Sequence, residues 1–500
     1  LIAICLYIFF TIVPKPTLAQ HNFSDQDLQN LDQYIDSTLA EWQPPAMAIA
    51  IIKDDSVIYH RIHGVTQTNN GHTVNDQTLF AIGSATKAFT STALGMLVDE
   101  GKIHWDDPVV RYLPDFRLKD DRISSMVTIR DLLSHRTGLS RTTLLFYNSG
   151  LSQEAMMHKL RYYDNAYPFR SGFGYQNVMF IVAGMIIEKV SGMPYEDFIK
   201  QRIFKPLEMN RSRLMLSSLD GEDNVATPHK KDGSIIKPIP WRNIDNAAPA
   251  GAIISDLEDM THWVHFQLHN GMFNGKQLVK KETMQTMHFP QNIVNPPGVW
   301  KILNPQADML YYGMGWFVQY FGDHKVVEHA GHIDGMSGHV AMMPDEGLAV
   351  IMLSNLDQNY STFGIMSRIF NLYTHRPLHN YAGQIYRTLH PTGQETQTDI
   401  NSSENQRIPN TKPSLDLKAY TGVFANNKFA QLSISFKDKK LIARFGNFEG
   451  PMEHWHHDTW KIHFNDPTIK TMFVTFTVNA KAKVPEATLE GIGPFKRTDT

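Results

Sequence analysis

The stretch LFAIGSATKAFTSTALGMLVDEGK, residues 79–102, places Ser84 and Lys87 one helical turn apart just where an apolar helical pattern begins. Phe89, Ala93, Leu94, Met96 and Leu97 recur at helical spacing, and Gly101 closes the run as a C-terminal glycine does. Ser84 therefore falls at a helix start, where unpaired backbone N–H groups favour developing negative charge. Lys87, three residues on, shares its face. A serine attacks a carbonyl at neutral pH only with a base beside it, and a lysine serves only if burial or a neighbouring cation lowers its pKa. The plainer reading is a helix cap followed by a solvated charge. Spacing alone does not decide, because Ser234 and Lys237 repeat it in KKDGSIIKPIP, a turn-and-proline stretch with no helix after it.

Two further segments add weight. Tyr175-Gln176-Asn177 follows the Gly-rich turn FRSGFG and opens the apolar run NVMFIVAGMIIEKVSG. A phenol beside a serine–lysine pair can carry a proton, and the Asn177 amide can hold a substrate or the lysine amine. A helix entry with an aromatic staple explains the same residues, and Tyr163 and Asn165 repeat the spacing in YYDNAY. His329-Ala330-Gly331 closes the strand-like KVVEHAG, and a hairpin pattern follows. A small residue and a glycine on a strand edge let a substrate backbone pair there. The backbone N–H of His332 would then join that of Ser84 as an oxyanion hole. His269-Asn270-Gly271 reads as a helix C-terminus, and His135, in SHRTG after TIRDLL, reads as a structural helix-to-loop residue.

The 500 residues carry 47 Lys and Arg against 50 Asp and Glu, a net charge of −3. No basic run is present, so nucleic acid is not an expected partner. Residues 1–19 have a short apolar run, then Pro and small residues, which predicts a cleaved signal and an exported protein; membrane attachment follows only if that segment stays uncleaved. Cys5 is the sole cysteine and lies inside that segment. The mature chain is thus expected to have no disulfide, thiol nucleophile or cysteine-bound zinc. Strand-like runs at both ends of residues 25–375, with helical patterns between, predict an α+β domain whose antiparallel sheet is flanked by helices beside an all-helical region. Residues 376–413 read as a linker, since 393–412 hold few aliphatic side chains, and 414–500 read as a small all-β barrel-like module.

Three weak short motifs in order, each at the boundary its role needs, are jointly specific. With LFAIGSATKAFTS, IRDLLSHRTGL, FRSGFGYQN, IIEKVSGMPYEDFI, PAGAIISDLEDM, YGMGWFV and EHAGHIDGMSGH, the chain resembles the penicillin-recognising serine hydrolases: class C β-lactamases, D-stereospecific peptidases and related esterases. The resemblance covers most of residues 25–375. It implies Ser84 as nucleophile and Lys87 with Tyr175 in proton transfer. It also implies Asn177 and His329–Gly331 as substrate contacts, an oxyanion hole from the Ser84 and His332 amides, and no cofactor. Such enzymes often write Lys-Thr-Gly where this chain has His329-Ala330-Gly331. A largely neutral histidine grips a carboxylate less well than lysine. The expectation is therefore a peptidase, amidase or esterase on a small molecule or short peptide, D-amino-acid peptides included. A weak β-lactamase or penicillin-binding DD-carboxypeptidase, and a silent ligand-binding sensor, are the alternatives. The tail resembles the lipocalin-like domain found behind such hydrolases. His262, His265 and His269, and His454, His456 and His457 with Asp458, are read as a polar helix face and as strand packing, not as metal sites.

Overall fold

The computed structural model describes residues 22–140, 142–295, 298–391, 407–469 and 471–498. The segment read as a signal, 1–19, lies outside them. The antiparallel sheet expected from the sequence has eight strands: β1 Ala46–Lys53, β2 Ser56–Gly64, β3 Asn292–Val294, β4 Leu310–Tyr312, β5 Phe317–Phe321, β6 His324–Ile333, β7 Met336–Met343 and β8 Leu348–Ser354. They lie in the order β2-β1-β8-β7-β6-β5-β4-β3. β1 and β2 flank a tight turn in which Asp54 takes φ 54°.

The central strands of the sheet are buried on both faces. Strand alternation sends Ala48, Ala50 and Ile52 of β1 to one core and Met47, Ile49 and Ile51 to the other. The six longest helices among the described residues are α1 Asp25–Trp42, α2 Thr86–Asp99, α3 Asn177–Ser191, α4 Leu257–Leu268, α5 Ser361–Tyr373 and α6 Tyr381–Leu389. The first core takes Phe89 of α2, Phe180 of α3 and Trp263 of α4, the Phe89 and Trp263 rings stacking at 3.6 Å. The second takes Leu31 and Ile35 of α1, Ile369 of α5 and Ile385 of α6.

α6 corrects the first part of the stretch 376–413 read as a linker, of which 392–406 lie outside the described residues. Ala382 and Ile385 turn one face of the helix inward. The Ala382 N–H donates to Tyr34 Oη at 3.0 Å, and Trp42 Nε1 donates to the Ala382 carbonyl at 3.3 Å. The last helix thus clasps the first. Its short apolar stripe was diluted by the polar residues that follow it. Beyond residue 407, eight strands from Gly422–Ala425 to Gly493–Arg497 pair in succession, and the first also pairs with the last, so the barrel is closed. Its interior is filled by Tyr420, Phe424, Trp460, Phe476 and Phe495.

Candidate active site

Ser84 lies in a tight turn, Gly83–Ala85, that runs directly into α2. The turn is pressed against β6 and β7 through three glycines. A Cβ on Gly331 would lie 1.7 Å from Ile82 O and 2.8 Å from Ser84 N. One on Gly83, at φ +51°, would lie 2.4 Å from His332 N, and one on Gly338 3.1 Å from Ile82 Cα. Gly331 thus faces the chain's own Ile82 carbonyl, whereas the sequence suggested an approach by substrate alone. The same seam is bordered by the amides of Ser84 and His332, the two expected donors. Gly331→Ala is expected to force this seam apart, destabilising the fold by about 1–3 kcal/mol and suppressing reaction of Ser84. A thermal melt with active-site labelling checks this, and wild-type values for both would show that the seam yields freely.

Lys87 is fully buried. Its Nζ lies 3.0 Å from Ser84 Oγ and donates to the Ala250 carbonyl at 2.7 Å, between the rings of Tyr175 and Phe180. Loss of water around the ammonium pushes its pKa well below the ordinary 10.5. The helical turn Ala248–Gly251 that supplies this carbonyl also accepts from Thr90 Oγ1 through Pro249 O. Tyr175 goes the other way. Burial raises its phenol above the usual 10.0, a hydrogen bond with Ser84 offsets this only in part, and the Glu328 carboxylate adds to the rise. The pair therefore consists of an amine that sheds its proton easily and a phenol that keeps its own. Sequence spacing left that division open.

Asn177, the first residue of α3, has a buried Oδ1 with no partner among the described residues. An orphaned buried acceptor on a cleft wall is a place for a ligand N–H. His329 is 1 % exposed, and both ring nitrogens are committed: Nε2 lies 2.9 Å from Tyr312 Oη and Nδ1 2.7 Å from the Ala330 carbonyl. Burial, with the nearby Lys87 amine, lowers its pKa to about 3, so the ring is uncharged at neutral pH. β5 pairs with β6 only as far as Glu328, which leaves the stretch from His329 to Ile333 without a strand on that side.

His135 was read from sequence as structural, and the structure gives it a closer role. Its ring centroid lies 4.3 Å from that of Tyr175, and its Nδ1 accepts the Gln176 N–H at 3.1 Å. The residue holds φ +55° and supports the loop carrying Tyr175 and Asn177. Gln176 completes that support, donating to the Leu139 and Ser140 carbonyls and accepting from Thr142 Oγ1.

Three hollows meet at these residues. One of about 150 Å³ lies between Ser84, Phe146, Tyr147, Ile244 and Asp334. One of about 210 Å³ runs along β6 between Trp300, Leu303, Phe317, Tyr360 and Phe363. The third, about 480 Å³, opens past Tyr175 and Asn177 toward Thr142, Tyr167 and Val299. Among the described residues no lysine or arginine lines any of them. The one carboxylate, Asp334, is already paired with Arg242 Nε at 2.8 Å.

A family model described as beta-lactamase matches residues 31–368. The chain belongs to the beta-lactamase family. This beta-lactamase-family chain, a member of a family of serine hydrolases, is 27 % identical over 442 residues to an unguisins hydrolase of Aspergillus campestris, covering 83 % of this chain and 79 % of that protein. It is 25 % identical over 337 residues to protein flp of Staphylococcus aureus, covering 66 % and 64 %. An octameric penicillin-binding protein homologue from Pyrococcus abyssi shares its fold, with a TM-score of 0.62 at 22 % identity over 94 % of this chain and 99 % of that one. Residues 406–498 match a domain of unknown function, DUF3471. The lipocalin likeness of that region rests on its closed eight-stranded barrel.

Away from the cleft, His265 and His269 bring ligand atoms within 4.8 Å of one another and of Asp55, which pairs with His269 Nε2 at 3.0 Å. His262 instead lies beside the Phe273 ring, and His454 Nε2 bonds the His457 carbonyl.

Proposed function

We propose that this protein is a serine hydrolase that forms an acyl-enzyme on Ser84 from uncharged ester or amide substrates flanked by apolar groups. The observation that carries the reading is the fully buried Lys87 amine 3.0 Å from Ser84 Oγ. As Ser84 Oγ bonds to the carbonyl carbon, its proton passes to neutral Lys87, and the oxyanion is met by the Ser84 and His332 amides. Collapse expels the alcohol or amine, which takes the proton back through the Tyr175 hydroxyl. Water then attacks the ester, gives a proton to Lys87 and releases the acid, and Ser84 regains its hydrogen.

The neutral walls favour peptidase, amidase or esterase action over β-lactam hydrolysis. A penicillin brings a carboxylate, and the site offers it His329, uncharged and with both nitrogens engaged. Lack of a charged partner costs such a ligand at least about 2 kcal/mol, roughly thirtyfold. The names of the unguisins hydrolases support a hydrolytic role without fixing the substrate here.

The test pairs mass spectrometry with a substrate panel. A fluorophosphonate is expected to add to the peptide holding Ser84. Among short apolar esters, N-acylated D-amino-acid amides, D-Ala-D-Ala peptides and nitrocefin, turnover should be slowest for the last two, which bear a free carboxylate. Fast nitrocefin turnover would overturn the substrate class. Acylation that never resolves would identify a sensor.

A further inference from the structure

Among the described residues the C-terminal barrel touches the catalytic domain in two places, and one of them is the back of the substrate cleft. Tyr147 and Asp334 line the 150 Å³ hollow beside Ser84. Tyr147 Oη donates to Asp334, and both are held from behind by Arg242. The Arg242 side chain is 8 % exposed and uses its whole fork: Nε to Asp334 at 2.8 Å, Nη1 to Asp466 at 2.7 Å, Nη2 to Thr468 Oγ1 at 2.6 Å. The last two partners belong to the barrel. The guanidinium also lies between the Tyr147 ring at 5.0 Å and the Phe448 ring of the barrel at 5.6 Å. Alongside, the Asn447 N–H donates to the Asn148 carbonyl at 2.9 Å, and a Cβ on Gly446 would lie 2.7 Å from that same oxygen.

We propose that the barrel is the outer wall of the substrate hollow, and that Arg242 is the positioning residue that sets the size of the group admitted beside Ser84. A cavity near 150 Å³ takes a benzene-sized apolar group. To enlarge it, Tyr147 and Asp334 must move outward, toward the barrel. A buried guanidinium with three partners resists that movement, since each bond lost leaves a desolvated charge short of a partner. The domain of unknown function thereby gains a role: it restricts a hydrolase to compact substituents at this subsite.

The second contact fixes what loosening would do. Lys159 Nζ donates to the Asn427 carbonyl at 3.1 Å, Tyr163 Oη to the Lys428 carbonyl at 2.9 Å, and Lys428 pairs with Asp164 at 3.1 Å. This patch keeps the barrel attached when the Arg242 contact is weakened. Asp466→Asn should therefore widen the hollow without releasing the domain.

The inference rests on Ser84 being the nucleophile, and the experiment separates the two. Full-length wild type, Asp466→Asn and Thr468→Val are labelled with a methyl-sized and a biphenyl-bearing fluorophosphonate, and hydrogen exchange is followed across residues 142–150. Wild type is expected to favour the small probe. In the variants the small-probe rate should hold while the bulky-probe rate rises about tenfold, with faster exchange at 142–150. An unchanged size preference in both variants would overturn the proposal. If neither probe labels wild type, the hydrolase reading falls. Exchange then decides alone whether the barrel braces the wall, unchanged exchange counting against it.

Discussion

Lys87→Met should melt at a higher temperature than the wild type and lose hydrolysis by at least about ten-thousandfold. The two effects have one cause. Burial holds the amine well below its ordinary 10.5, so folding strips a proton that the unfolded chain keeps. Between the folded value and 10.5 the unfolded state binds more protons, and stability climbs with pH across that window. Below 10.5 the buried Lys87 with its depressed pKa therefore costs stability, and a methionine of similar length removes the cost. The same depression lets the amine serve as a base at a lower pH than an ordinary lysine would. Hydrolysis should rise with pH through the folded Lys87 value, and Tyr175, whose phenol is raised, should remain protonated over the working range. Melting curves and rates from pH 5 to 10 check both signs. A Lys87→Met protein that melts lower, or keeps its activity, would contradict the assignment.

Ser84→Ala is expected to remove hydrolysis to a similar extent and to abolish fluorophosphonate labelling, with little change in melting temperature. Ser84 is partly exposed in a pre-formed turn, and the partners of its hydroxyl, Lys87 and Tyr175, are each held by other packing. Groups that act as one unit are strongly non-additive. The Ser84→Ala, Lys87→Met double variant should thus be no slower than either single one. A further large drop would mean that the amine serves a nucleophile other than Ser84. Rates from purified proteins, with label-free mass spectra as a control for residual wild type, decide the matter.

The parts of this site visible in the sequence are those set by local spacing. Ser84 and Lys87 are three residues apart, and the turn Gly83–Ala85 running into α2 puts them on one face. Tyr175 and Asn177 announce themselves at a helix start, and His329 to Gly331 at a strand edge. What stayed hidden depends on distant packing. His135 sits four decades of sequence from Tyr175, and only the fold puts its ring beside the phenol. Gly331 reads as an open strand edge until the Ile82 carbonyl is seen against it. The bond from Arg242 to Thr468 joins residues 226 positions apart in two domains, and no local pattern marks either one. α6 is faint in the sequence because its nine-residue amphipathic stripe is followed closely by a polar run.

The sheet's strand order has a consequence for how the protein is made. β1 is flanked by β2 and by β8, and Met47 lies opposite Ser354. A ribosome adding about 5–20 residues per second needs roughly 15 to 60 s after β1 emerges to deliver β8. Through that interval the nascent hairpin has an open flank rich in isoleucine and alanine, so biogenesis should depend on a holdase guarding it until synthesis of the domain is nearly done.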